Sequence, residues 1–186
     1  MKNYSKLITV AISYLLVMNC LLRGDEVESA GGLFKAEGVL ETILSSDRVS
    51  ACPLKSNRPN RKFLFWGYRD WSKRTYKEKK YVSISKTSVQ NIREDLLDDN
   101  SYVWGIVLGC RPIFQSRCRF EKGFDRVEID FCFGCSIMLV RFNGNVVSSA
   151  VVDLSNTVFL DEMITLFPNE EMFAQAKEMR ANRTGG

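Results

Sequence analysis

Histidine is absent from this 186-residue chain. That absence removes Ser-His-Asp and Cys-His catalysis, every histidine-ligated zinc or iron centre, and the usual proton shuttle near neutral pH. Any acid–base or nucleophilic chemistry would have to rest on carboxylate, lysine, tyrosine or thiol groups alone. A strong charge of either sign is missing too. The formal net charge is +4, and Lys2 and Lys6 in the N-terminal segment account for part of it. So mild a balance gives no reason to expect nucleic acid or anionic lipid as a partner. There is no internal repeat, no low-complexity tract, and no run after residue 22 apolar enough to cross a membrane.

What the chain does have is a positive start followed by a greasy core. Lys2 and Lys6 precede an uncharged, mostly apolar run over residues 7–22, which is 16 residues long. A bilayer core needs about 20 helical residues, so the run is short for a permanent span and reads as a signal peptide over residues 1–22. Asn19-Cys20 resembles a bacterial lipobox, although Asn19 is larger than the small residue usual before the lipidated cysteine. Three fates follow from the segment: a lipoprotein anchored through Cys20, a cleaved soluble protein, or an uncleaved anchor. All three place the protein outside the cytosol, in the outer envelope, the periplasm or the extracellular space.

Residues 23–32 carry Gly24, Gly31 and Gly32 among small and acidic residues and read as a tether. Residues 33–186 then form a single globular domain, whose 45% hydrophobic and 26% charged content (whole-chain values) is ordinary for a folded protein. A short helix is expected over 33–44, and a loop with Pro53 and Pro59 over 45–60. Strands are expected at 63–68, 81–85, 102–108 and 126–133. A helix over 86–99, capped by Thr87 or Ser88, has Val89, Ile92, Leu96 and Leu97 on its apolar face. Residues 136–142 and 145–152 flank Asn143-Gly144, a dipeptide suited to a type I′ turn, and both faces of the first run are apolar. That hairpin is placed centrally in the sheet. Two helices divided by Pro168 close the chain over 160–180. The fold class is α+β: an antiparallel sheet of about four to six strands with a central Asn-Gly hairpin, packed by two or three helices.

Besides Cys20 the cysteines are Cys52, Cys110, Cys118, Cys132 and Cys135. In an oxidising compartment one or two structural disulfides are expected, with Cys110, Cys118, Cys132 and Cys135 as candidates. Cys132-Phe133-Gly134-Cys135 has redox-motif spacing, but the residues after it read as a strand and not as the helix that activates such a thiol. A direct Cys132–Cys135 bond needs a turn at Gly134, because residues three apart in a strand point to opposite faces. A Cys₄ zinc site from the four candidates has the usual spacing only in its second pair. No metal or other cofactor is assigned.

Phe65-Trp66-Gly67-Tyr68, Cys110-Arg111-Pro112 and Phe131-Cys132-Phe133-Gly134-Cys135 together resemble the pattern of a family of uncharacterised exported bacterial proteins, over residues 63–175. That family pattern has an aromatic-x-Gly-aromatic strand, a Cys-x-x-Pro-Arg-His segment, an Asp before Ile-Cys-Phe-x-Cys, and a short C-terminal helix. Here Pro112 comes one residue early, the Arg-His pair is missing and Glu128 stands where the Asp would be. The resemblance implies an exported α+β domain and nothing catalytic.

Residues 58–80 interleave basic and aromatic side chains. Arg69, Lys73, Arg74, Trp66 and Trp71 could hold a glycan or an anionic envelope polymer. The simpler account is a strand with inward aromatics and a solvated basic loop. Glu128 and Asp130 share a strand face, as acid–base carboxylates do, but alternation with apolar residues reads as the wet side of an edge strand. Asp98-Asp99-Asn100 could touch calcium, and equally ends a helix. The sequence therefore points to an exported, disulfide-containing interaction domain with no catalytic residue assigned. A thiol-redox protein using Cys132 and Cys135 and a polymer-binding module are the alternatives.

Overall fold

The computed structural model describes residues 29–56, 76–106, 112–155 and 157–184. Among these residues eight strands make one antiparallel sheet: β1 (Arg48–Ser56), β2 (Tyr76–Glu78), β3 (Val82–Ser83), β4 (Tyr102–Val103), β5 (Ser116–Lys122), β6 (Asp125–Cys132), β7 (Ile137–Phe142) and β8 (Asn145–Val152). Their order is β2-β1-β5-β6-β7-β8-β4, with β3 also paired to β1. The helices are α1 (Ala30–Leu33), α2 (Val39–Leu44), α3 (Lys86–Leu97), α4 (Phe159–Leu166) and α5 (Glu171–Thr184). The α+β class and the antiparallel sheet agree with the sequence. Eight strands exceed the expected four to six: β3 and β4 fall within the strands expected at 81–85 and 102–108, whereas β1, β2 and β5 lie where none is expected, and the strand expected at 63–68 lies outside the described residues.

One sheet face holds the main core. Strand alternation turns Val127, Ile129 and Phe131 of β6 and Met138 and Val140 of β7 toward the helices, with Ala51, Cys118 and Phe120 beside them. Against them pack Ile43 of α2, Ile92 and Leu96 of α3, Phe159, Leu160 and Met163 of α4, and Phe173 and Ala176 of α5. The helix expected over 86–99 is present, and the Ser85 hydroxyl caps it by accepting from Ser88 N at 3.1 Å. Pro168 does separate two helices.

Three expectations need correcting. The tether drawn to residue 32 overlaps the fold, because α1 begins at Ala30, whose side chain is buried with Leu33, and Ala30 N donates to Asp99 Oδ1 at 2.6 Å. The loop assigned to 45–60 contains the nine-residue β1. Pro53 is tolerated there because β3 pairs with Ser50 and Ala51 while β2 resumes at Leu54, so the proline falls where the outer ladder is interrupted. The Asn-Gly hairpin exists, with positive φ at Asn143 (49°) and Gly144 (85°), but it is not central. β7 is interior, whereas among the described residues only the two of β4 pair beyond β8.

Candidate functional site

The second sheet face carries a band of charge. Alternation puts Arg117 and Arg119 of β5, Glu128 and Asp130 of β6 and Arg141 of β7 on this face, and the register sets Arg117 opposite Asp130 and Arg119 opposite Glu128. Arg117 Nε donates to Asp130 Oδ1 at 2.6 Å and its Nη2 to Asp130 Oδ2 at 2.9 Å, a two-point fork. Arg141 Nε donates to the same Oδ2 at 3.2 Å. Arg119 holds Glu128 Oε1 through Nη2 at 2.8 Å and Nε at 3.1 Å. Glu78 of β2 accepts from Arg117 Nη1 at 2.5 Å and lies 3.4 Å from Arg119 Nη2, while Arg126 Nε stands 3.5 Å from Glu128. The Arg119 guanidinium sits 4.0 Å over the Tyr81 ring.

Glu128 is 4% and Asp130 0% exposed. They are not the wet side of an edge strand: β6 lies between β5 and β7, and arginines from both neighbours meet its carboxylates. Burial alone would lower the Arg117 pKa, but the hydrogen bond and charge of Asp130, with Glu128, outweigh it and hold the guanidinium above its usual range. An acid–base pair needs an accessible carboxyl able to change protonation. Both carboxylates here are enclosed and bound to guanidiniums, so the geometry is that of a cross-strand brace. Sequence reading missed Arg117, Arg119, Arg141 and Glu78. The signal was present in Arg117-x-Arg119 facing Glu128-x-Asp130 across one tight hairpin, a complementary alternation visible only once the two runs are paired.

The thiols are divided between the two faces. Cys118 points into the helix-covered core, whereas Cys52 and Cys132 lie in a smaller cluster with Leu54, Phe114 and Leu139 on the charged side. Cys52, Cys118 and Cys132 are free and buried. The candidate pairing of Cys118 with Cys132 is therefore excluded, as is a single metal ion held by both, because the sheet stands between them. Among the described residues no group of three or more acidic or thiol side chains is placed to hold a metal. Cys135 is half-buried in the turn between β6 and β7, and strand β7, not a helix, follows it. Cys110 lies outside the described residues, as do Cys20, Trp66, Arg69, Trp71, Lys73 and Arg74. Asp98 and Asp99 are occupied within the fold: Asp98 Oδ1 accepts from Asn100 N at 3.0 Å, and Asp99 receives Ala30 N.

Burial pushes the Cys52 thiol up to about 11, against a smaller opposing effect of the Tyr81 hydroxyl beside it. Burial likewise raises Cys118, with Cys52 adding to the effect, and raises Tyr81 and Tyr102. Thiols so placed are poor nucleophiles at neutral pH. Each of these groups holds its proton more tightly folded than unfolded. The stabilisation is thus complete below the unfolded thiol value of 9.0 and is lost as pH climbs through the folded values. Urea unfolding under reductant is expected to show a plateau to about pH 8.5 and a fall beyond it, with Cys52 alone contributing about 2 kcal/mol by pH 11. Cys52→Ala should flatten that slope. A stability constant to pH 11 would contradict the assignment.

Two surface features complete the inventory. An open depression of about 640 Å³ is lined by Phe34, Leu40, Leu44, Lys35, Glu41 and Lys122, and at the β5–β6 turn Phe124 stands fully in solvent. Comparison with known proteins finds no matching family model, no matching curated protein and no matching solved structure.

Proposed function

We propose that this is an exported, non-enzymatic interaction domain of a bacterial envelope, lipid-anchored through Cys20 or secreted after cleavage of residues 1–22. The observation that carries the reading is the N-terminal pattern, with Lys2 and Lys6 ahead of an uncharged apolar run ending at Leu22. The disulfides expected of an oxidising compartment are not formed by Cys52, Cys118 or Cys132, which are free and buried from oxidant. The carboxylates best placed for chemistry, Glu128 and Asp130, are committed to the brace. Membership of the exported family that the Cys-Phe-x-Cys segment resembles belongs to the same proposal, as does any disulfide to Cys110.

Intact mass of the protein recovered from its native cells, with and without reductant, tests this directly. A chain beginning at Cys20 with added acyl groups, or one cleaved near residue 22, is expected. A chain in the cytosolic fraction that still has Met1 would refute it. A gain of two hydrogens on reduction would mark each disulfide.

A further inference from the structure

Exposed apolar side chains gather beside α2. Leu40 and Leu44 lie one turn apart on that helix and are 37% and 48% exposed, while Val39 and Ile43 on its other side are fully buried. Both leucines line the open depression of about 640 Å³, as does the buried Phe34. Lys122 lines it too, and two residues further on, at the tip of the β5–β6 hairpin, Phe124 is fully exposed. That tip is pinned: Gly123 N donates to Asp47 Oδ2 at 3.3 Å, and Asn143 Nδ2 to Asp125 Oδ1 at 3.1 Å. Charge on this surface nearly balances. Lys122 pairs with Glu41 at 2.5 Å and Arg48 with Glu121 at 2.6 Å, and the depression has one further residue of each sign, Lys35 and Glu37.

We propose that this surface, formed by Leu40, Leu44 and Phe124 beside the depression, lies against the headgroups of the membrane that the N-terminal segment enters. Covalent reach commits it to lipid. Six residues, 23–28, separate the apolar run from Ser29, where the described chain begins. Whatever their path, they span at most about 25 Å. A domain of this size is about 40 Å across, so it cannot turn its far side to the bilayer. Gly31, two residues after Ser29, lines the same depression as Leu44 and Lys122, which puts the exposed leucines on the anchored side. Three apolar side chains are too few to hold a free protein on lipid. Tethering raises their local concentration at the bilayer, and a weak interfacial contact then suffices. The near-zero charge suits a zwitterionic headgroup and gives no electrostatic preference for anionic lipid.

The partner of the interaction domain proposed above is then a lipid surface, and this rests on that reading through the N-terminal segment. The full chain is reconstituted into phosphatidylcholine vesicles with brominated acyl chains, a quencher confined to the bilayer. Leu44→Trp and Phe124→Trp are compared with Val158→Trp, which is 40% exposed but lies at the start of α4, beyond the far end of β8. Emission of the first two, above the wild-type background, is expected to fall at least about twofold relative to unbrominated lipid, and that of Val158→Trp to show no such loss. An unchanged thermal melt in neutral detergent verifies that each variant folds. Equal quenching at all three positions, quenching at Val158→Trp alone, no quenching, or a chain that does not float with the vesicles overturns the inference. Export fails separately, on the intact mass and cell fraction of the native protein.

Discussion

Asp130→Asn is expected to lower folding stability by about 3–5 kcal/mol, the cost of removing one partner from a buried ion pair. The substitution keeps the shape of the side chain and removes its charge, so packing changes little. What changes is the shared acceptor of Arg117 and Arg141, which meet it at 2.6, 2.9 and 3.2 Å inside the sheet. An amide offers one oxygen where the carboxylate offers two, and its NH₂ points a donor at a donor. Denaturant unfolding of the full chain measures the loss. Arg117→Gln alone should also destabilise, while the double variant should cost less than the sum of the two singles, since neither charge is then left alone. A cost below about 1 kcal/mol for Asp130→Asn would mean that water reaches the pair and that the brace contributes no more than a surface contact.

Phe131→Ala is expected to cost about 3–5 kcal/mol, at the upper end for a core aromatic. Phe131 stacks on Phe159 of α4 with ring centroids 3.6 Å apart, and Phe133, two residues on along the same face, stacks 6.1 Å away and meets Phe173 of α5 edge-on at 5.8 Å. These rings attach the two C-terminal helices to the middle of the sheet, so truncation opens a cavity and also frees α4. A double cycle with Phe159→Ala should return about 1 kcal/mol of coupling beyond the lost area. Additive losses would show that the rings are merely neighbours. Thermal unfolding followed by near-ultraviolet circular dichroism reports both quantities.

Much of the secondary structure was legible residue by residue. Asn143-Gly144 marked the hairpin turn because few other dipeptides accept two positive φ values. The period of Ile92 and Leu96 marked α3, and Pro168 the break before α5. Alternation placed Val127, Ile129, Phe131 and Phe133 inward, and all four are buried. The errors share one physical origin. Pro53 looked like a loop residue because its missing N–H is harmless only where a neighbouring strand happens to be interrupted, and that gap belongs to β2 and β3. Residues 102–108 looked like one strand, but the described ladder ends at Val103 and Gly105 turns the chain at φ 72°. The thiols looked like disulfide partners by compartment, a reading that says nothing about which side of a sheet each one faces.

By itself the amino-acid sequence determined the chemistry available here. It left out histidine, put an uncharged apolar run behind two lysines, and fixed through alternation which residues of each strand share a face. Only the tertiary structure decided what those faces meet. A row of Glu128 and Asp130 faces water on a lone strand, and becomes a closed brace when β5 and β7 bring arginines to both sides. In the same way β8 reads as any interior strand, and among the described residues the ladder beyond it holds two residues. A strand's periodicity is a property of its own backbone, whereas burial, pairing and an open edge are properties of its neighbours, which are set by contacts far apart in the chain.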